Sequence, residues 1–120
     1  MKLKITLEDT TVITATLIDS KTTQDFISLL PLTLTLDDYS STEKISYLPR
    51  KLSTEGAPSG VDPSIGDITY YAPWGNLAIF YKDFGYSSGL ILLGKIDNNG
   101  IEALSVSGSV QATMELISEP

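Results

Sequence analysis

A chain of 120 residues, 42 % hydrophobic and 19 % charged, has the length and composition of one compact soluble domain able to bury its own core. Its 8 Lys plus Arg against 15 Asp plus Glu give a formal net charge of −7, which repels phosphate backbones and anionic membrane surfaces; neither nucleic acid nor a membrane is an expected partner. Cysteine and histidine are both absent, which removes disulfides, thiolate nucleophiles, zinc or haem ligation and Ser-His-Asp chemistry, so no metal and no cofactor is expected.

No apolar run approaches the roughly 20 residues of a membrane-spanning helix. The N-terminus alternates and carries charge where a signal peptide would be continuously apolar, so a cytoplasmic location is expected. Leu3, Ile5 and Leu7 alternate with Lys4, Thr6 and Glu8, and Ile13, Ala15 and Leu17 repeat the pattern beyond a turn at Asp9-Thr10. This is the period of a half-buried strand and predicts a first β-hairpin. After a polar break at residues 19–23, Thr22 and Asp25 have the spacing of a capping box, and Phe26, Leu29 and Leu30 follow at helical spacing. Pro31 disfavours helical geometry at Leu30, which limits the helix to about two turns. A helix so short must lie against a sheet or plug the end of a barrel.

Residues 32–36 alternate as a third strand, residues 37–42 read as a loop, and Lys44 to Leu48 read as a short fourth strand with Ile45 and Tyr47 on one face. Pro49 to Gly66 lacks periodicity and carries three prolines, three glycines and the sole arginine, Arg50; a segment of this kind is often functional or mobile. Ile68–Tyr71 and Ile79–Tyr81 are rich in branched and aromatic residues and predict two strands joined by a Pro73-Trp74-Gly75-Asn76 corner. Lys82 to Gly89 is a polar loop studded with aromatics, and Leu90–Ile96 is an apolar run suited to a strand covered on both faces. Asp97 to Gly100 is a turn, with Asn-Gly able to supply positive φ, residues 101–104 fit one helical turn, and Val110 to Leu116 alternate as a closing strand. About eight strands in so short a chain are most simply satisfied by closure into a barrel, which hides their edges.

The run from Gly66 to Tyr81, with Leu52 to Pro58 upstream and Gly94-Lys95-Ile96 downstream, resembles the bacterial cyclophilin-like domain family over nearly the whole chain. The resemblance implies a mainly β fold, a closed eight-stranded antiparallel barrel with one or two short helices, in a single domain spanning residues 1–120. It implies a shape and little chemistry. Cyclophilins themselves isomerise prolyl bonds with an arginine, an apolar proline pocket and a rim bearing histidine and aromatics. The rim histidine is missing here, and Arg50 is the one arginine that could take the polar role.

Six residues are candidates for a binding site. Tyr71, Trp74 and Asn76 flank the corner, where an aromatic and an amide could grip a ligand; alternatively Trp74 caps the barrel end and Asn76 bonds the turn, and the amphipathic indole favours the cap. Arg50 with Glu55 or Asp62 could line a charged pocket, or could simply pin the Pro/Gly-rich loop. Phe84 and Tyr86 flank Gly85 and either form an apolar patch or fold back on the barrel. Asp37 with Asp38, and Asp67 with Asp83, could pair as acid and base or hold calcium, but solvated carboxylates at strand ends are the norm and the spacing of a calcium loop is absent. Ser87-Ser88 lacks any histidine to activate it. The expected function is a non-catalytic binding or interaction module for a small molecule or peptide. The alternatives are a weak prolyl isomerase using Arg50 and a small-molecule enzyme relying on carboxylates and tyrosines.

Overall fold

The computed structural model of the chain describes residues 1–117. Strands β1 (Lys2–Leu7), β2 (Val12–Leu17), β3 (Leu32–Tyr39), β4 (Glu43–Tyr47), β6 (Asp67–Tyr71), β7 (Asn76–Phe80), β9 (Leu90–Ile96) and β10 (Val110–Ile117) close into a barrel in the order β1-β10-β3-β4-β7-β6-β9-β2. Every neighbouring pair is antiparallel. Two further strands, β5 (Gly60–Val61) and β8 (Ser87–Ser88), form a small clip outside the barrel. No helix among the described residues is long and apolar enough to cross a membrane.

The alternating strands point their apolar members inward. Leu3, Ile5, Ala15, Leu36, Ile79 and Met114 are among the residues that fill the interior. On the strands with one wet face the chain has little choice: a one-residue slip of register would turn the inward row to water. At the β2–β9 contact the sheet tolerates only glycine, because a Cβ on Gly94 would collide with the Thr16 carbonyl and with Leu17.

Helix α1 (Lys21–Ile27) sends Phe26, fully buried, into one end of the core. The N-cap is Ser20 and not the Thr22 of the expected capping box. Ser20 is extended (φ −155°, ψ 165°), and its Oγ accepts from the Thr23 N–H at 3.1 Å. Thr22 already lies within the helix and donates its hydroxyl to the Ser53 carbonyl at 2.6 Å, while Asp25 turns to Arg50. Residues 100–104 wind as a short 3₁₀ turn, which places Leu104 in the core; the positive φ of the preceding turn falls on Asn98.

Two loops are shorter than the sequence implies. Asp37, Asp38 and Tyr39 continue β3, pairing with Ile45, Lys44 and Glu43, so the loop shrinks to Ser40–Thr42. The long segment from Pro49 to Gly66 is tied across its middle by β5, which pairs with β8 of the second loop. Gly60 allows this close approach, since a Cβ there would strike the Ser87 carbonyl and the Tyr86 ring.

β6 and β7 are buried on both faces. Their inner residues, such as Ile68, Leu77 and Ile79, join the barrel core. Outside, Ala78, Phe80 and Leu90 form a second apolar cluster, with Ile45, Val61 and Tyr71 packed at its margin. A functional surface can be built on this outer face.

Candidate functional site

On β4, Glu43, Ile45 and Tyr47 share a face with Phe80, Ala78 and Asn76 of β7, their register partners. Tyr39 of β3 stands beside Glu43, and Tyr71 of β6 stands beside Asn76, with Leu90 of β9 next in line. From these rows Tyr39, Glu43, Tyr71, Asn76, Phe80 and Leu90 floor a groove of about 340 Å³ on the outside of the barrel, walled by Trp74, Phe84 and Ser87. The β6–β7 turn sets the Trp74 wall. Gly75 takes φ +71°, and the N–H groups of Trp74 and Gly75 both donate to the Tyr71 carbonyl, at 3.2 and 2.9 Å.

Trp74 is 46 % exposed, so it does not cap the barrel as its amphipathic ring implies. The tight turn holds it at the tip of the hairpin, where it meets Tyr39 edge-on at 5.8 Å and Tyr71 edge-on at 5.3 Å between ring centroids. Phe84, also exposed, lies tilted over Phe80 at 6.1 Å. The groove thus has aromatic rings on several sides.

Two of the polar side chains among these rings lack partners for an oxygen. Asn76 is 1 % exposed; its Nδ2 donates to the neighbouring Leu77 carbonyl at 3.0 Å, and its Oδ1 has no partner among the described residues. An unpaired buried acceptor costs on the order of 1–3 kcal/mol. Glu43 is partly buried, with neither a hydrogen bond nor an ion pair to its carboxylate among the described residues, and burial pushes it up to about 7. Loss of solvation disfavours the carboxylate, and nothing nearby offsets that loss.

Of the six candidate residues, Tyr71, Trp74, Asn76 and Phe84 come together here. Arg50 and Tyr86 do not. The Arg50 guanidinium forks onto Asp25, with Nη1 and Nη2 at 2.9 and 2.7 Å from its two oxygens, and also donates to Ser28 Oγ at 2.9 Å. Asp25, rather than Glu55 or Asp62, is its partner, and the Arg50 hydrogen bond holds the Asp25 carboxyl below its usual range. Arg50 therefore straps the start of the long loop to α1. Tyr86 projects into solvent and hydrogen-bonds Ser59 Oγ at 3.1 Å, bracing the clip.

The carboxylate pairs separate in the same way. Asp37 accepts from Ser109 Oγ, whereas Asp38 faces the barrel end, where it accepts from the Tyr81 hydroxyl and lies 3.4 Å from Lys44. Burial, then the bond to Asp38, pushes Tyr81 up to about 12. Asp67 accepts from the Ser64 N–H and from Lys95, and Asp83 from the Ile65 N–H. Each carboxylate is engaged by a backbone N–H, a hydroxyl or a cation, so neither pair is arranged as acid and base. Ser87 and Ser88 serve β8.

Sequence reasoning missed Tyr39, Glu43 and Phe80 as members of the site. The period of two groups Glu43 with Ile45 and Tyr47 on one face, but only the pairing with β3 and β7 shows that this face is the outer one.

A second cavity, of about 410 Å³, opens beneath the long loop and is lined mainly by apolar residues including Ile18, Pro58, Val61 and Ile91. Lys21 and Glu55 at its margin pair with each other. Leu90 borders both cavities.

With the barrel order and the groove in place, comparison with known proteins adds a family. The model of the cyclophilin-like family matches residues 5–115. The chain belongs to the cyclophilin-like family. Its fold is that of a solved relative, the hypothetical protein AF2241 from Archaeoglobus fulgidus, in its solution structure: TM-score 0.69, with 19 % identity over 96 % of this chain and 93 % of that one. No curated protein matches the chain. At such identity the likeness concerns the barrel alone, and within the cyclophilin-like fold the groove must be judged by its own residues.

Proposed function

We propose that this cyclophilin-like barrel is a non-catalytic binding module, and that the outer-face groove takes a small molecule or a short peptide. The observation that carries the reading is the set of aromatic rings gathered around a buried amide whose carbonyl has no partner. Concave, largely apolar sites with a few placed polar groups are where ligands are bound and oriented. Prolyl isomerisation fits these residues poorly. Lowering a barrier near 20 kcal/mol requires a donor preorganised against the prolyl nitrogen. Arg50 is committed to Asp25 and borders neither cavity.

The test is a titration of isotope-labelled protein with a Xaa-Pro test peptide and a panel of small aromatic, anionic and cationic compounds, beside a prolyl isomerisation assay. Saturable shifts at Tyr71, Trp74, Asn76 and Phe84 with no acceleration are the expected outcome. Acceleration that vanishes in Arg50→Ala, with the fold intact, would replace this reading by the enzyme. Silence of the groove to every probe would overturn it.

A further inference from the structure

The one charged side chain lining the groove is an acid, and it stands among aromatic rings. The groove's carboxylate, Glu43, is unpaired; the amide buried at its floor has an unpaired oxygen; its walls are aromatic rings, whose faces carry negative charge density. No lysine or arginine lines it. The cation adjacent in sequence, Lys44, points to the opposite side of β4 and is satisfied there by the carbonyls of Val106 and Gly108. Trp74 meets Tyr39 and Tyr71 at interplanar angles of 82° and 81°, so the indole stands nearly perpendicular to both phenol rings at the groove. The whole chain adds a field of net charge −7, which draws cations toward it.

We propose, building on the reading of this groove as a binding site, that its ligand is a small free organic cation: a protonated or quaternary ammonium on a compact apolar frame. The aromatic faces attract the ammonium and its polarised methyl or methylene groups, as in other cages of this kind. Glu43 supplies the full counter-charge, and a cation beside it removes the cost of ionising a carboxylate in a partly dry place. A volume of about 340 Å³ admits a molecule of that size.

Choline and its uncharged isostere, in which a tert-butyl group replaces the trimethylammonium, separate charge from shape. Each is titrated at constant ionic strength into the wild type and into Glu43→Gln, reading backbone shifts and the fluorescence of the sole tryptophan. Choline is expected to saturate the wild-type groove, the isostere to bind at least about tenfold more weakly, and Glu43→Gln to weaken choline about tenfold with little effect on the isostere. Equal binding of choline and isostere by the wild type would overturn the proposal even if the variant failed to fold. So would a folded Glu43→Gln that binds choline unchanged. Binding of the Xaa-Pro peptide in the groove without choline would sink the cation and leave the binding module standing, whereas silence to all probes would sink both.

Discussion

Glu43 and Lys44 are neighbours on β4 that face opposite sides of the barrel wall, and their surroundings differ in kind. Lys44 is fully buried, yet its Nζ donates to two carbonyls at 2.6 Å each, lies 3.4 Å from Asp38 and sits 5.8 Å from the Tyr81 ring centre. Glu43 is only partly buried and has no partner among the described residues. The more deeply buried charge is the one the protein has answered in full, at the end of the barrel where it closes the fold. The shallower charge is left unanswered in a groove open to solvent. Burial alone therefore does not mark a functional group; burial without a partner does.

Replacing the answered charge is expected to have the largest effect. Lys44→Met leaves the Val106 and Gly108 carbonyls and the Asp38–Tyr81 pair without their cation, and removing one partner of a buried ionic cluster costs about 3–5 kcal/mol. Urea denaturation measures it; a loss below about 1 kcal/mol would erase the contrast between the two sites.

Trp74→Ala is expected to cost less, about 1–2 kcal/mol for its two edge-on ring contacts, because the side chain is 46 % exposed and leaves no core cavity. The same change should abolish ligand-induced shifts at Tyr71 and Tyr39. A loss of about 3–5 kcal/mol would instead place the indole among core residues.

Glu43→Gln should act through pH. Burial raises the folded-state value from 4.5 to about 7, so across that interval the folded chain holds a proton that the unfolded chain has released. The wild type is therefore favoured at low pH and loses stability as pH rises through that window. The glutamine variant, which does not titrate, should gain on the wild type by about 1 kcal/mol between about pH 5 and about pH 8, once solvent screening is allowed for. Thermal melts of the two proteins across that range measure the gap; a constant gap would mean that Glu43 is solvated or paired after all.

Arg50→Ala should leave ligand-induced shifts in the groove unchanged, since the guanidinium belongs to the strap onto α1. Any loss of groove binding in that variant, with the barrel intact, would join two regions that are separate here.

Most of the barrel was legible from alternation. The rows at residues 3–7, 13–17, 32–36 and 110–116, and the corner between β6 and β7, lie where period-two patterning and turn chemistry put them. What alternation cannot decide is which side of a strand is inside. Ile45 and Tyr47 do share a face, but it is the outer one, because Lys44 and Ser46 take the inner side and carbonyls at the barrel end receive the ammonium. The candidate site was legible where it borders the hairpin, at Tyr71, Trp74, Asn76 and Phe84. It was illegible at Tyr39, which sequence reasoning left in a loop, and at Glu43, just outside the strand it assigned. Both positions depend on pairing between β3 and β4, a contact no local pattern reports.

Closure of the ring also governs how copies of the chain meet. Every barrel strand has a neighbour on both sides, so the barrel order presents no end strand for another molecule to extend. The outlying pair, β5 with β8, is only two residues long on each side, and such a stub is a poor template for a growing ladder. A protein with this many apolar strands would ordinarily risk sticking to itself edge to edge. Here, any contact between copies would fall to exposed side chains, those of Trp74 and Phe84 at the groove and of Tyr47 and Tyr86 elsewhere among them.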